Sequence, residues 1–308
     1  MRLIEISAWN DSGGGFLHRL FDGHPGLDIW PFELLLGADG EAVDRLSPDW
    51  FHGRFRWPRL AHFLEQGRAE AAFDAISDRE LKAVLTDPDR AKHRDYPVRV
   101  ALDDWRRATA ERWRAGADRS QAAFIEAYIE TFLRLSGAPS GWRPVLGHCP
   151  VIIIDAGRLF ADFPDARILH VVRDPLAGFA DMRRRHPGLD AASYARKWSL
   201  VNMAAALAFA KAPSQVEIAT FSSLLAERRT TMERLCRFLD LSFDEALLRP
   251  SWRGVALDES DMGPFGGVPA IGLDRERQLA AALSEADRKP IETLTVGTAA
   301  VLARFGVL

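Results

Sequence analysis

Two places in the sequence combine residue types and spacings suited to holding anions. The first is Asn10-Asp11-Ser12-Gly13-Gly14-Gly15, which separates a short alternating run at 2–7 from a helical pattern opening with Phe16, Leu17, Leu20 and Phe21. Glycines let successive backbone N–H groups converge, and the start of a helix adds a positive partial charge, so a strand–glycine–helix sequence is a device for holding phosphate. Ser12 supplies a hydroxyl beside it. The loop is not a Walker A motif, because no Gly-Lys-Ser/Thr follows, and it is not a dinucleotide fingerprint. A triple glycine can also be an ordinary tight turn. The second place is Arg173, where the apolar run Ile168–Val172 ends in Arg173-Asp174-Pro175. Ligands of open parallel sheets bind beyond the carboxyl ends of strands. An isolated arginine there can simply pair with Asp174 or a helix end. A glycine nest and a cation at two strand ends can together hold both phosphate-bearing ends of one nucleotide.

The surrounding elements must position these groups. Apolar runs at Val151–Ile154 and Ile168–Val172, and a third at Val216–Phe221, read as buried strands. Helical patterns follow around 157–163, after Pro175 with Phe179 and Met182, across 190–211, and near 222–226, 229–240 and 243–248. A clear amphipathic helix spans 120–136, with Phe124, Ile125, Tyr128, Ile129, Phe132 and Leu135 at helical spacing and Ser120 as its cap. The region 275–306 reads as helix interrupted near Lys289-Pro290, preceded by a Gly- and Pro-rich loop at 253–274. Strands alternating with helices predict an α/β fold, a central parallel sheet flanked by helices. The stretch 38–118 is read as short helices and irregular connections, with its aromatic and arginine mixture at 50–59 taken as core and rim that could also line an acceptor pocket. No repeat or linker divides the chain, so one domain over 1–308 is expected.

Composition narrows the function. The 308 residues carry 40 Lys and Arg against 43 Asp and Glu, a net charge of −3, which argues against a general nucleic-acid binder. Cys149 and Cys236 are the only cysteines, so a disulfide-stapled secreted fold and a four-cysteine zinc site are excluded. No His-Glu-x-x-His spacing exists, and no metal is expected. The N-terminus, interrupted by Glu5, is too short and charged for a signal peptide. No run approaches the roughly 18 apolar residues of a membrane span. A cytoplasmic location is expected.

Beyond these readings, the chain resembles the sulfotransferases that use 3′-phosphoadenosine 5′-phosphosulfate (PAPS). The resemblance rests on Asp11-Ser12-Gly13-Gly14-Gly15 followed by a helix and His24-Pro25, and on Phe163-Pro164-Asp165-Ala166-Arg167 leading to Arg173-Asp174-Pro175. Trp198 and Asn202, Phe221-Ser222-Ser223-Leu224, Phe238-Leu239-Asp240-Leu241 and the ending Arg304-Phe305-Gly306 add to it, and His148-Cys149-Pro150 stands where relatives carry Lys-Thr-Pro. It implies a P-loop NTPase-like sulfotransferase fold, with PAPS as donor co-substrate and a hydroxyl of a carbohydrate or small molecule as acceptor. Ser12, Gly13, Gly14 and Gly15 would cradle the 5′-phosphosulfate, and Arg173 would bind the 3′-phosphate. Relatives place a serine eight residues further on as a second 3′-phosphate ligand; here that position is Asp181. Asp11 likewise replaces a basic residue. Each puts a carboxylate where an anion should bind, which disfavours binding unless a cation intervenes. Arg183, Arg184 and Arg185 stand close enough to Asp181 to neutralise it. None stands close to Asp11, whose side chain is expected to turn away.

Sulfuryl transfer also needs a base for the acceptor hydroxyl. Glu33 is the first candidate and His148 the second, the latter as base or as a cation beside the leaving phosphate. An exposed carboxylate and a structural histidine are the plain alternatives. His148 and Cys149 do not form a thiol dyad, because adjacent residues of an extended segment point apart. Two other readings stay open: a catalytically inactive sulfotransferase-like nucleotide-binding protein, favoured by the two aspartates, and a nucleotide phosphotransferase with a degenerate loop, disfavoured by the missing lysine.

Overall fold

A computed structural model of the chain describes residues 1–37, 53–77, 79–86, 98–138, 143–258 and 272–308. Strand β1 (Leu3–Ala8) leads into helix α1 (Gly14–Phe21) and strand β2 (Asp28–Ile29). Helices α2 (Ala61–Leu64), α3 (Ala69–Ile76), α4 (Arg79–Thr86), α5 (Leu102–Ala115) and α6 (Gln121–Leu135) follow. The chain then returns to the sheet as β3 (Val145–His148), α7 (Ala156–Asp162), β4 (Arg167–Val172), α8 (Pro175–Arg185), α9 (Ala191–Lys211) and β5 (Val216–Thr220). It closes with α10 (Phe221–Ala226), α11 (Arg228–Phe238), the short hairpin β6 (Ser251–Trp252) and β7 (Val255–Ala256), then α12 (Leu273–Ala281) and α13 (Glu285–Arg304).

Five strands form one parallel sheet in the order β2-β3-β1-β4-β5. The two-residue period of β1 sorts its side chains. Ile4, Ile6 and Ala8 point to one face, where Leu146, Leu169 and Val171 join them beneath Phe16, Leu17 and Leu20 of α1 and Met232 and Leu235 of α11. Leu3, Val145, Ile168 and Val216 face the other side, beneath Trp105 of α5, Phe124 and Phe132 of α6 and Trp198 of α9. On that side Trp30, Trp105 and Phe132 pack with centroids 4.3–6.1 Å apart, and the Trp105 indole N–H donates to Tyr128 O at 2.9 Å, so the polar atom of a buried ring is satisfied. From β1 the chain leaves through α1 toward β2, and from β4 it leaves through α8 and α9 toward β5, on the opposite side. The carboxyl ends of β1 and β4 therefore flank the switch point of the sheet, the place where ligands of open parallel sheets bind.

The strand expected at Val151–Ile154 is instead a 3-10 turn over Ile152–Asp155, and the strand before it is Val145–His148. A four-residue apolar run signals burial on all sides, and buried helical turns carry the same pattern. Val151 enters at φ 59°, and the Ile153 N–H donates to Ser7 Oγ at 3.3 Å, which ends the pairing with β1. The break expected at Lys289-Pro290 lies earlier, at 282–284, and α13 runs through Pro290. Helices near the expected spans at 157–163, 190–211 and 222–240 are present. Trp50, Phe51 and residues 259–271 of the expected loop lie outside the described residues.

Ser120 caps α6 by accepting the Ala123 N–H at 3.1 Å, as its position before the apolar pattern requires. Ser120→Ala should lower stability by about 1 kcal/mol. Urea unfolding should show a lower midpoint with an unchanged slope.

Candidate functional site

Beyond the end of β1 the chain turns tightly. The Ser12 N–H donates to Trp9 O at 3.0 Å, and Gly13, at φ 95°, caps α1 with no side chain on the helix end. The first bond of the helix runs from the Leu17 N–H to Gly13 O at 3.0 Å, so the N–H groups of its first turn point past the helix start, as an anion cradle needs. Ser12 is buried, and its Oγ has no hydrogen-bond partner among the described residues. An orphaned buried hydroxyl beside unsatisfied N–H groups suits an anionic oxygen such as that of a phosphosulfate. Two contacts hold the nest tight. The Phe221 ring lies so close to Gly13 that any Cβ there would overlap it, and a Cβ at Gly14 would fall 2.6 Å from His148 Nε2. Only glycine fits at either position.

Arg173 stands at the end of β4, beside this cradle. Its Nη1 donates to Asp11 O at 2.5 Å and to Asp181 Oδ2 at 3.0 Å, while Nε and Nη2 make a bidentate pair with Glu276 of α12 at 2.8 and 2.6 Å. The guanidinium carbon lies 5.1 Å from the centroid of the Phe221 ring, so the same phenyl backs both Gly13 and Arg173. The Trp198 indole N–H donates to Arg173 O at 3.0 Å, and Asn202 Nδ2 donates to Trp198 O at 2.8 Å. Asn202 Oδ1 meets His170 Nε2 at 3.0 Å. Trp198 and Asn202 thus hold the strand end that carries the cation. Burial opposes the charge on Arg173, but the hydrogen bonds and charges of Glu276 and then Asp181 hold its pKa above the ordinary arginine value.

Asp181 is neutralised, though not by its helical neighbours. Arg173 binds one carboxylate oxygen and Arg275 the other, at 2.7 Å. Burial would raise its pKa, and these two guanidiniums, Arg173 foremost, bring it below the usual aspartate value. Arg183 pairs with Asp287 and Arg185 with Asp11. Arg183, two residues after Asp181, lies off its helix face, and Arg185, four residues on and on the same face, is taken by Asp11 instead. Asp11, expected to be without a cation, has one from the end of α8, and its carbonyl accepts from Arg173 as well.

Glu33 and His148 lie at the carboxyl edge of β2 and β3. The Leu34 N–H donates to His148 O at 2.8 Å, and the Trp30 indole N–H donates to Glu33 O at 3.3 Å, so the segment after β2 is tied alongside the end of β3, with the backbone next to Glu33 bonded to that of His148. His148 is buried. Burial, then the charge of Arg19, pushes its pKa down to about 3, so at neutral pH it is an uncharged imidazole and not a cation. Arg19 itself is buried, paired with Asp22 at 3.4 Å and close to His18 Nδ1 at 2.5 Å. Cys149 is held as a thiol: burial, then the nearby charges of Glu5, Glu33 and Asp155, push its pKa well up. It is no nucleophile.

Four groups of this region went unread in the sequence. Glu276 and Arg275 lie more than ninety residues from their partners, and no local pattern announces such pairs. Glu5 is a buried carboxyl on the core side of β1, its pKa raised by burial; the alternation of Ile4, Ile6 and Ala8 was the signal that it points the other way. Tyr194 is buried against Trp9 and Phe179, and its hydroxyl has no partner among the described residues.

These features coincide with a family. The chain belongs to the sulfotransferase family, whose profile matches residues 12–245. Among solved structures it is similar to the sulfotransferase domain of a Synechococcus olefin synthase, with 20% identity, 91% of this chain and 94% of that one covered, and a TM-score of 0.49. A sulfotransferase domain from the curacin biosynthetic pathway covers the whole chain and 98% of its own at 14% identity and a TM-score of 0.46. A Mycobacterium avium sulfotransferase covers the whole chain and 77% of its own at 16% identity and a TM-score of 0.45. No curated protein matches the chain. Among the described residues, no helix is long and apolar enough to cross a membrane.

Two outcomes follow from this geometry. Gly13→Ala should destabilise the protein by about 1–3 kcal/mol, from strain at positive φ and overlap with Phe221, measured by chemical unfolding. The second concerns pH. Burial holds His148 neutral down to about 3 and His170 neutral down to about 4, against the usual 6.5. The unfolded chain therefore binds more protons between those limits, and this contribution to stability must fall as pH drops from 6.5 toward 4. His148→Gln and His170→Gln should each show a shallower decline than the wild type over that window.

Proposed function

We propose that the protein transfers a sulfuryl group from PAPS to a hydroxyl of a carbohydrate or small-molecule acceptor. The observation that carries this reading is the 2.5 Å bond from Arg173 to Asp11 O, which puts a fixed guanidinium at β4 against a glycine cradle at β1. The spacing suits a nucleotide with its phosphosulfate on Ser12, Gly13, Gly14 and Gly15 and its ribose phosphate at Arg173. Asp181 acts in this reading by orienting Arg173.

The chemistry asks little of the protein beyond positioning and charge stabilisation, by the logic worked out for phosphoryl transfer. The acceptor oxygen forms a bond to sulfur as the bond from sulfur to the bridging phosphate oxygen breaks, and adenosine 3′,5′-bisphosphate leaves. Glu33 takes the acceptor proton. It is half-buried at the strand edge, whereas His148, neutral and pressed against Gly14, suits donation of a hydrogen bond near the leaving phosphate. The N–H groups at the start of α1 and the Ser12 hydroxyl hold the charge that develops there. The same reading takes residues 1–308 as one cytoplasmic domain acting without nucleic acid; its cysteines, Cys149 and Cys236, are both free and buried.

A second reading, a catalytically inactive nucleotide-binding relative, draws on the carboxylates already paired with Arg173. Transfer of labelled sulfate to any member of a hydroxylated-acceptor panel removes it. For the first reading, calorimetry with adenosine 3′,5′-bisphosphate should give heat, and Arg173→Ala should weaken binding at least about tenfold, as loss of a charge-assisted contact implies. No heat at millimolar ligand overturns it. Glu33→Gln should lower kcat about a hundredfold or more with bisphosphate affinity unchanged.

A further inference from the structure

Because Nη1 of Arg173 is bonded elsewhere, the edge left to grip a tetrahedral anion with two parallel hydrogen bonds is that of Nε and Nη2. Glu276 holds both donors of that edge. Nη1 is committed to Asp11 O and Asp181. The carboxylate of Glu276 therefore sits where the ribose phosphate of a bound donor would sit, and makes the bonds that phosphate would make.

With α12 docked, the surrounding charges are balanced. Arg173, Arg185 and Arg275 face Asp11, Asp181 and Glu276 in ion pairs. Arg275 reaches Asp181 Oδ1 at 2.7 Å from the same helix, so a move of α12 withdraws Glu276 and Arg275 together and leaves Arg173 paired with Asp181, its Nε and Nη2 open. A dianionic phosphate fills that open edge with two charge-assisted hydrogen bonds; a ribose hydroxyl does not.

The helix that carries Glu276 is built to let go. None of the residues of α12 is buried, and its apolar residues Leu273 and Leu279 are only half-covered. It packs along α8 and against α10, and is tied there by Glu276–Arg173 and Arg275–Asp181, with the Arg288 guanidinium donating to Ala280 O at 2.7 Å from α13. An element with little buried apolar surface opens at low cost.

We propose that Glu276 gates the donor site: it is a built-in surrogate for the ribose phosphate that a nucleotide carrying a 3′-phosphate displaces, with α12 moving off Arg173 as it does so. This rests on the donor reading given above. The gate costs the 3′-phosphorylated nucleotide affinity and leaves a nucleotide without that group indifferent.

The test compares adenosine 3′,5′-bisphosphate with adenosine 5′-phosphate by calorimetry on the wild type, Glu276→Gln and Arg173→Ala. Glu276→Gln should bind the bisphosphate about tenfold more tightly or better, and the monophosphate within about twofold of wild type. A Glu276→Gln protein that binds the bisphosphate no more tightly than wild type, while Arg173→Ala still weakens binding at least about tenfold, overturns the gate and leaves the donor reading standing. Absence of bisphosphate binding in every protein overturns both. Hydrogen exchange on the wild type tests the gate without a variant. Amides of 273–281 should exchange faster with the bisphosphate and unchanged with the monophosphate. Slower or unchanged exchange with the bisphosphate overturns it.

Discussion

The site depends on one alignment: β1 and β4 run parallel and side by side, with Ala8 opposite Val171, so their two exit loops emerge together. That register places the carbonyl of Asp11 within reach of the Arg173 guanidinium, although 162 residues separate them. Parallel neighbours in this order require long crossovers, and the helices that make the crossovers cover both faces. The sheet is therefore buried, and the cation at its edge is held in a largely dry setting, where removing a partner of a buried ion pair costs about 3–5 kcal/mol. Arg173 cannot stand there alone. Asp181 and Glu276 are consequences of that burial.

The two aspartates that seemed to oppose an anion site now have distinct roles. Asp181 reaches Arg173 through Nη1 and leaves the bidentate edge to another group, so it orients the guanidinium without occupying its anion-binding side. Asp11 turns its carboxylate to Arg185 and offers its carbonyl to Arg173. Neither carboxylate is unpaired, and neither adds an uncompensated negative charge at the cradle. The buried imidazoles follow the same economy. His148 and His170 stay neutral because burial disfavours their charged forms more than any neighbour favours them.

Much of the fold was legible because its signals are local. The helix at Gln121–Leu135 shows an apolar stripe and a serine cap, and β4 shows a continuous apolar run ending at Arg173. The Val151–Ile154 run misled because burial on every side erases the period that separates strand from turn; the deciding contact, Ser7 with Ile153, joins residues 146 apart. Among the residues of the proposed site, the glycine turn and Arg173 could be named because backbone freedom and strand-end position are properties of short segments. Arg185, Arg275 and Glu276 could not be assigned partners, because an ion pair leaves no mark on the residues next to it.

The sequence by itself determined the class of fold and the strand–glycine–helix turn proposed to cradle an anion, since periodicity, glycine placement and the apolar runs act over a few residues and limit what each segment can be. The tertiary structure decided which charges meet. Long side chains reach several ångströms and select partners by proximity, and proximity across 103 residues between Arg173 and Glu276 is set only when the sheet has closed and α12 has docked beside it. Whether a given arginine is open to a ligand or already satisfied is therefore a property of the assembled edge, not of the segment that carries it.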